Sequence, residues 1–200
     1  MRASLADQAD AVAARLLRSD TLAIALGANL PSPAGEPADT LLAVRPHLEQ
    51  ALQHWAMAVA GSGRSPELRC QWSPLVRTAP VGGPPGQSDY TNGVVLVALP
   101  AALAVAGSDH ANARLQPQLI RASLSLLQRL QQLEAQFGRP PLTEREPWGP
   151  RSLDLDWLWW GNLELRLQAE PATPALQLPH PLWRQRSFVV EPLLTLTAGA

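Results

Sequence analysis

Residues 148–162 read WGPRSLDLDWLWWGN. An apolar and aromatic run is broken at alternate positions by Asp154 and Asp156. That period of two predicts a strand over 151–161. Alternate strand side chains share a face and sit about 6.5–7 Å apart. Asp154 and Asp156 therefore point one way, with Leu153 and Leu155 opposite. Two carboxylates at that distance repel each other unless water solvates them or a divalent cation lies between them. Mg²⁺ takes one or two carboxylates together with phosphate oxygens and water. A solvated strand face is the plain reading of the pair; a metal site for phosphate chemistry is the sharp one.

Working outward, Gly161-Asn162 is a turn signal that predicts a hairpin into LELRLQ, 163–168. Upstream, QLIRASLSLLQRLQQLEAQFG (118–138) carries Leu119, Ile120, Leu124, Leu127, Leu130, Leu133 and Phe137 at helical spacing, and Gly138 ends it. YTNGVVLVAL (90–99) and TLAIALGANL (21–30) read as buried strands. LRCQWSPLVRTAP (68–80) reads as an edge or bulged strand, because Pro74 cannot donate to a ladder. A helix is expected over 39–60, with Pro46 a point where it kinks or restarts, and a short final helix over 187–197. Segment 100–117 reads as an insert without a clear period. The core order is strand, helix, strand, strand, helix, strand. That predicts an α+β, ferredoxin-like βαββαβ sandwich with an antiparallel sheet, an extra hairpin strand and an N-terminal helix. The expected organisation is a helical extension over 1–20 and a single domain over 21–200. The amphipathic helix at 4–18 either leans on that domain or frays from it.

The apolar fraction is 46 % against 16 % charged, enough to bury a core. Net charge is −1, so there is no bulk basic field for nucleic acid or for a membrane surface. No stretch is apolar for long enough to span a bilayer. All 16 basic residues are arginine, which excludes lysine-dependent mechanisms. The single cysteine, Cys70, cannot form an internal disulfide and reads as a packing residue; a cytoplasmic, monomeric protein is expected.

Several segments could converge on the aspartates. Arg151 lies three residues before Asp154, and Arg139, Arg145, Arg184 and Arg186 lie on loops. Guanidinium groups match phosphate oxygens and stay charged. His180 stands between two prolines in LPHPLWRQRSF (178–188), which stiffens its backbone. Tyr90 and Asn92 share a face at a strand start, an aromatic and an amide suited to a flat heterocycle. Each has a structural reading as well: surface solvation, a packed histidine, an ordinary strand start.

Taken in order, ALGANL, RTAPVG, DYTNGVV, LEAQFGR, WGPRSLDLD and LPHPLWRQRSF resemble the 6-hydroxymethyl-7,8-dihydropterin pyrophosphokinase family over about 21–197. WGPRSLDLD with the spaced LPHP…R.F is the specific part. The resemblance implies transfer of pyrophosphate from ATP to the pterin hydroxymethyl group, releasing AMP, with two Mg²⁺ ions. It implies that Asp154 and Asp156 hold the ions and that Arg139 and Arg151 act near the phosphates. It further implies ATP contacts at Gln131, Glu134, Arg145, Trp148, Trp157, His180 and Arg186. The pterin pocket would comprise Thr78, Ala79, Val81, Tyr90, Asn92, Trp148 and Phe188. ATP and the pterin are the expected partners, with no nucleic acid and no membrane.

The chain departs from the family pattern at Pro147, where a basic residue is usual, and at Trp157, where an aliphatic one follows the second Asp. It also departs at Ala79 and in the loop RPPLTEREP (139–147). The competing reading is a degenerate or non-enzymatic ferredoxin-like ligand-binding module.

Overall fold

The computed structural model describes residues 3–61, 65–105, 112–169 and 175–197, of which 112–116 by their backbone. The elements are α1 (Leu5–Leu16), β1 (Thr21–Ala28), α2 (Pro37–Ala60), β2 (Arg69–Trp72), β3 (Val76–Thr78), β4 (Tyr90–Ala98), α3 (Asn112–Gln136), β5 (Asp154–Trp160), β6 (Leu165–Leu167), β7 (Leu176–Leu178) and α4 (Ser187–Leu196). The main sheet runs β2-β4-β1-β5, all antiparallel, with β3 pairing β4 beyond the end of β2. This is the expected split βαββαβ order.

The sheet has a core on each face. On one side, Leu22, Ile24, Leu26, Val95 and Val97 meet Leu41, Val44, Leu48, Leu52 and Trp55 of α2 and Leu126, Leu130 and Leu133 of α3. On the other, Ala23, Ala25, Val94 and Leu96 meet Val189, Val190 and Leu193 of α4 and Ala9, Val12 and Leu16 of α1. The N-terminal helix therefore packs on the domain. Its start is fixed by a Ser4–Asp7 capping box.

A bulge lets β5 supply both cores. Its register with β1 pairs Ala23 with Trp159 and Ile24 with Trp157, leaving Leu158 as the extra residue. Trp157 and Trp160 then face α2, where both pack edge-on against Trp55. Leu158 and Trp159 face the α1–α4 side. Strict alternation would have left two of these four side chains on the wrong face.

Four expectations change. The 68–80 strand is two strands, because Ser73-Pro74-Leu75 breaks the ladder. The predicted hairpin after Gly161 does not form: β6 pairs with β7 in a separate two-stranded sheet. The Gly161 and Asn162 amides instead donate to Thr21 O and Val105 O, which turns the chain out of the sheet. Pro46 lies inside α2 without ending it, on an exposed position where its missing N–H faces solvent rather than the core. Finally, α3 begins at Asn112, inside the segment read as an insert; residues 106–111 of that segment lie outside the described residues.

Candidate active site

Register brings the site together at one end of the α4-side sheet face. Gly27 of β1 lies opposite Asp154 on one side and Asn92 on the other, and Ala25 lies opposite Asp156. Two small residues thus form a low floor between the carboxylates and the β4 side chains. A Cβ on Gly27 would sit 3.0 Å from Asn92 Oδ1, so even alanine would crowd that floor. Above it is a cleft of about 210 Å³ lined by Thr78, Ala79, Val81, Tyr90, Asn92, Trp148, Arg151, Asp154, Asp156, Arg186 and Phe188 among others. The expected pterin-side residues and the two aspartates therefore share one cavity.

Each aspartate is held by guanidinium groups. Asp154 accepts from Arg139 at 2.5 Å and from Arg151 at 2.9 Å. Asp156 accepts from Arg186 at 2.6 Å. Arg186 also lies over the rings of Phe188 and Trp148. Burial alone would raise Asp154, but the Arg139 and Arg151 charges more than offset it and hold this carboxyl below its usual range. Asp156 behaves oppositely. Burial, then the neighbouring Asp154 charge, pushes it up to about 6 against the pull of Arg186. Two like-charged groups on one strand face have had their affinities for protons driven apart.

The loops over the cleft are tied to each other. Asn29 accepts from the Arg151 amide at 2.8 Å and donates to Ser88 O at 3.1 Å, joining the end of β1 to both loops. Gln87 donates to Trp148 O at 3.1 Å, and Tyr90 OH donates to Gly149 O at 3.2 Å. Gly83, at φ +79°, passes so close to Trp148 that a Cβ there would strike the Trp148 carbonyl. Trp148 itself adopts φ +59°, rare for a bulky residue, with its ring 54 % exposed at the cleft rim. Asn92 donates to Thr78 Oγ1 at 2.9 Å, which fixes its amide plane beside Tyr90.

The remaining expected residues lie around this cleft. Gln131, Arg139 and Arg145 line a second cavity of about 390 Å³ with the Pro140–Thr143 segment. Glu134 is 4 % exposed, between that cavity and β5. The His180 ring stands behind Arg186; its Nδ1 accepts from the Leu182 amide, and burial, then the Arg186 charge, lowers it to about 4. Two expectations are corrected. Trp157 is 3 % exposed in the α2-side core, with its indole N–H on Trp159 O, so it faces away from the cleft. Strand alternation puts it there, with Leu153 and Leu155 on the face opposite the aspartates, and the bulge comes only at Leu158. Arg184 turns to Asp10 of α1 rather than to the aspartates.

Sequence reasoning missed Asn29, Gln87, Leu182 and Gln185. The last three line the cleft. Asn29 stood within ALGANL, and its signal was an amide following a buried strand. Gln87 and Gln185 have no pattern that separates them from surface residues.

The model of the 7,8-dihydro-6-hydroxymethylpterin-pyrophosphokinase (HPPK) family matches residues 23–198. The chain belongs to this pyrophosphokinase family. It is 33 % identical over 174 residues to the 2-amino-4-hydroxy-6-hydroxymethyldihydropteridine pyrophosphokinase of Pseudomonas aeruginosa, covering 86 % of this chain and 78 % of that protein. A Synechocystis protein of the same description is 39 % identical over 114 residues, 56 % of this chain and 42 % of its own length. One from Haemophilus influenzae is 31 % identical over 116 residues, covering 58 % and 54 %. The chain thus spans under two thirds of two of these three relatives. The pyrophosphokinase match begins at residue 23, so α1 lies outside it.

Proposed function

We propose that this family member transfers pyrophosphate from ATP to the hydroxymethyl oxygen of 6-hydroxymethyl-7,8-dihydropterin. The observation that carries the reading is the juxtaposition of Asp154 and Asp156, each bonded to arginine, with a slot bounded by Tyr90, Asn92 and Phe188. One half of the cleft suits polyphosphate and the other a flat, hydrogen-bonding ring. The acceptor oxygen would attack the β-phosphorus of ATP, the bond from that phosphorus to the α–β bridging oxygen would break, and AMP would leave. The hydroxyl proton passes to solvent.

The donor set fits two Mg²⁺ ions. Asp154 and Asp156 share one open face, and no group of three or more His, Cys, Asp or Glu side chains suited to a metal occurs among the described residues. The remaining ligands would then be phosphate oxygens and water, the usual situation for Mg²⁺. Bound there, the ions would neutralise phosphate charge and align the attacking and leaving oxygens. The chain's own residues supply the rest. Arg139, Arg151 and Arg186 already converge on the carboxylates and would turn to the phosphates. Asn92 would read the edge of the pterin, while Tyr90 and Phe188 supply aromatic surface. Trp148 would close the rim against water. We further propose a monomer, placed in the cytoplasm on the strength of its single cysteine.

The test is product analysis. Purified protein with ATP, the dihydropterin and Mg²⁺ should yield AMP and pterin diphosphate, and neither without the pterin. ADP as product would overturn the reading. Asp154→Asn and Asp156→Asn should each reduce turnover by about 10²-fold or more, since each removes a metal-facing charge while keeping the side-chain volume. Full turnover in both variants would refute the metal assignment. The competing reading, a non-enzymatic binding module, requires pterin or nucleotide binding with no product.

A further inference from the structure

Glu134 projects from α3 into a buried position behind β5, and its carboxylate is fully engaged by the protein. One oxygen, Oε1, accepts from Arg139 and from the Leu155 amide, the latter at 2.9 Å. The other, Oε2, accepts from Arg145 at 3.2 Å. At 4 % exposure it presents almost no surface to either cavity. The Leu155 amide lies in the backbone between Asp154 and Asp156. Glu134 thus joins at once the strand between the two carboxylates, Arg139, which also bonds Asp154, and Arg145 of the 139–147 loop.

A nucleotide contact made by Glu134 itself would need one of these bonds to break, and would bring a carboxylate toward a polyanion. We infer that Glu134 is a positioning residue: it aims Arg139 and Arg145 at the phosphate chain and fixes the β5 backbone between the aspartates, without touching substrate. Without its charge, the two guanidinium groups would lose the carboxylate that holds both of them. Coulomb repulsion would separate Arg139 from Arg145, and the Arg145 part of the loop would lose its side-chain tie to the helix. The inference rests on the phosphate reading of the site, and it explains why an acidic residue sits at the centre of a group of arginines expected to meet an anion.

The test is binding of inorganic tripolyphosphate with Mg²⁺, measured by calorimetry on the full chain. This probe has no base and no ribose. If Glu134 acts through the arginines, Glu134→Gln weakens tripolyphosphate and a non-hydrolysable ATP analogue equally, by about tenfold or more, and leaves pterin affinity within twofold. Glu134→Asp, which keeps the charge on a shorter arm, falls between Gln and the native residue and guards against a Gln variant that fails to fold. If Glu134 contacts the nucleoside, ATP-analogue binding falls while tripolyphosphate binding is unchanged, and the inference is overturned. An Asp variant no better than Gln also overturns it, as does equal loss of pterin and phosphate affinity, which would mark a general loosening. Native protein that does not bind tripolyphosphate would instead refute the phosphate reading of the site.

Discussion

Arg186 donates to Asp156 at 2.6 Å from the segment just before α4, so one of the two cleft carboxylates is claimed by a guanidinium. Arg139 and Arg151 do the same to Asp154. A metal ion arriving alone must displace a fixed positive charge, whereas one arriving with phosphate meets arginines that have an alternative partner. Arg186→Ala is therefore expected to bind Mn²⁺ about tenfold more tightly than the native chain without nucleotide, the effect of removing roughly 1.4 kcal/mol of competition. The same variant should bind an ATP analogue about tenfold or more weakly, since a charge-assisted hydrogen bond is lost. Paramagnetic titration with Mn²⁺ checks both arms. Unchanged metal affinity would show that the pair does not compete with cations.

The Gly83–Trp148 approach makes a second prediction. Gly83 sits at φ +79°, and a Cβ would strike the Trp148 carbonyl that also accepts from Gln87. Gly83→Ala must shift one loop and adopt a costly backbone conformation, about 1–3 kcal/mol together. Because both loops border the cleft, pterin affinity should fall with stability. Gly86, also at positive φ but with open space around its Cβ position, is the control: Gly86→Ala should cost stability through backbone strain alone and leave pterin affinity nearly unchanged. Equal pterin affinity in both variants would contradict the role given to the contact.

The readable parts of this fold were those set by local pattern. The α3 stripe and the unbroken Val94–Leu99 run specify their elements from within a short window. So does the Asp154–Asp156 alternation, and the cleft lies where that alternation points. What escaped the sequence depends on distant partners. Gly161-Asn162 has hairpin chemistry, yet its amides bond to Thr21 and Val105 instead. Alternation from Asp156 already turns Trp157 away from the cleft, but the bulge against β1 at Leu158 decides which way Trp159 and Trp160 face. The family resemblance implied a nucleotide contact at Glu134; its hydrogen bonds from Arg139, Arg145 and the Leu155 amide join segments that no local pattern connects.

The N-terminal helix gives a third prediction. Leu16 is buried against the α4-side core, while Asp10 joins α1 to Arg184 through a largely exposed ion pair. Leu16→Ala should cost about 2–5 kcal/mol through lost burial and a cavity. Asp10→Ala should cost under about 1 kcal/mol, since an exposed pair is screened by water and salt. Urea unfolding of both variants measures the contrast. A small Leu16 effect would mean that α1 frays from the domain, and a large Asp10 effect would mean that the ion pair anchors it.

His180 makes stability depend on pH in a direction opposite to that of a salt-bridged histidine. Its folded-state pKa is lowered to about 4 from the ordinary 6.5, first by burial and then by the Arg186 charge. Between those values the unfolded chain binds a proton that the folded chain does not. Stability contributed by the neutral ring is therefore complete above pH 6.5, falls as pH drops through the window from 6.5 to about 4, and levels off below it. The span corresponds to at most about 3 kcal/mol. Asn at this position can present an oxygen to the Leu182 amide in place of Nδ1 and does not titrate. The stability difference between the native chain and His180→Asn should therefore shift against the native chain by up to about 3 kcal/mol as pH falls from 6.5 to 4. Carboxylates that titrate in the same range act on both proteins and cancel in the difference. Parallel pH–stability curves from urea unfolding would show that the ring is protonated freely in the folded state.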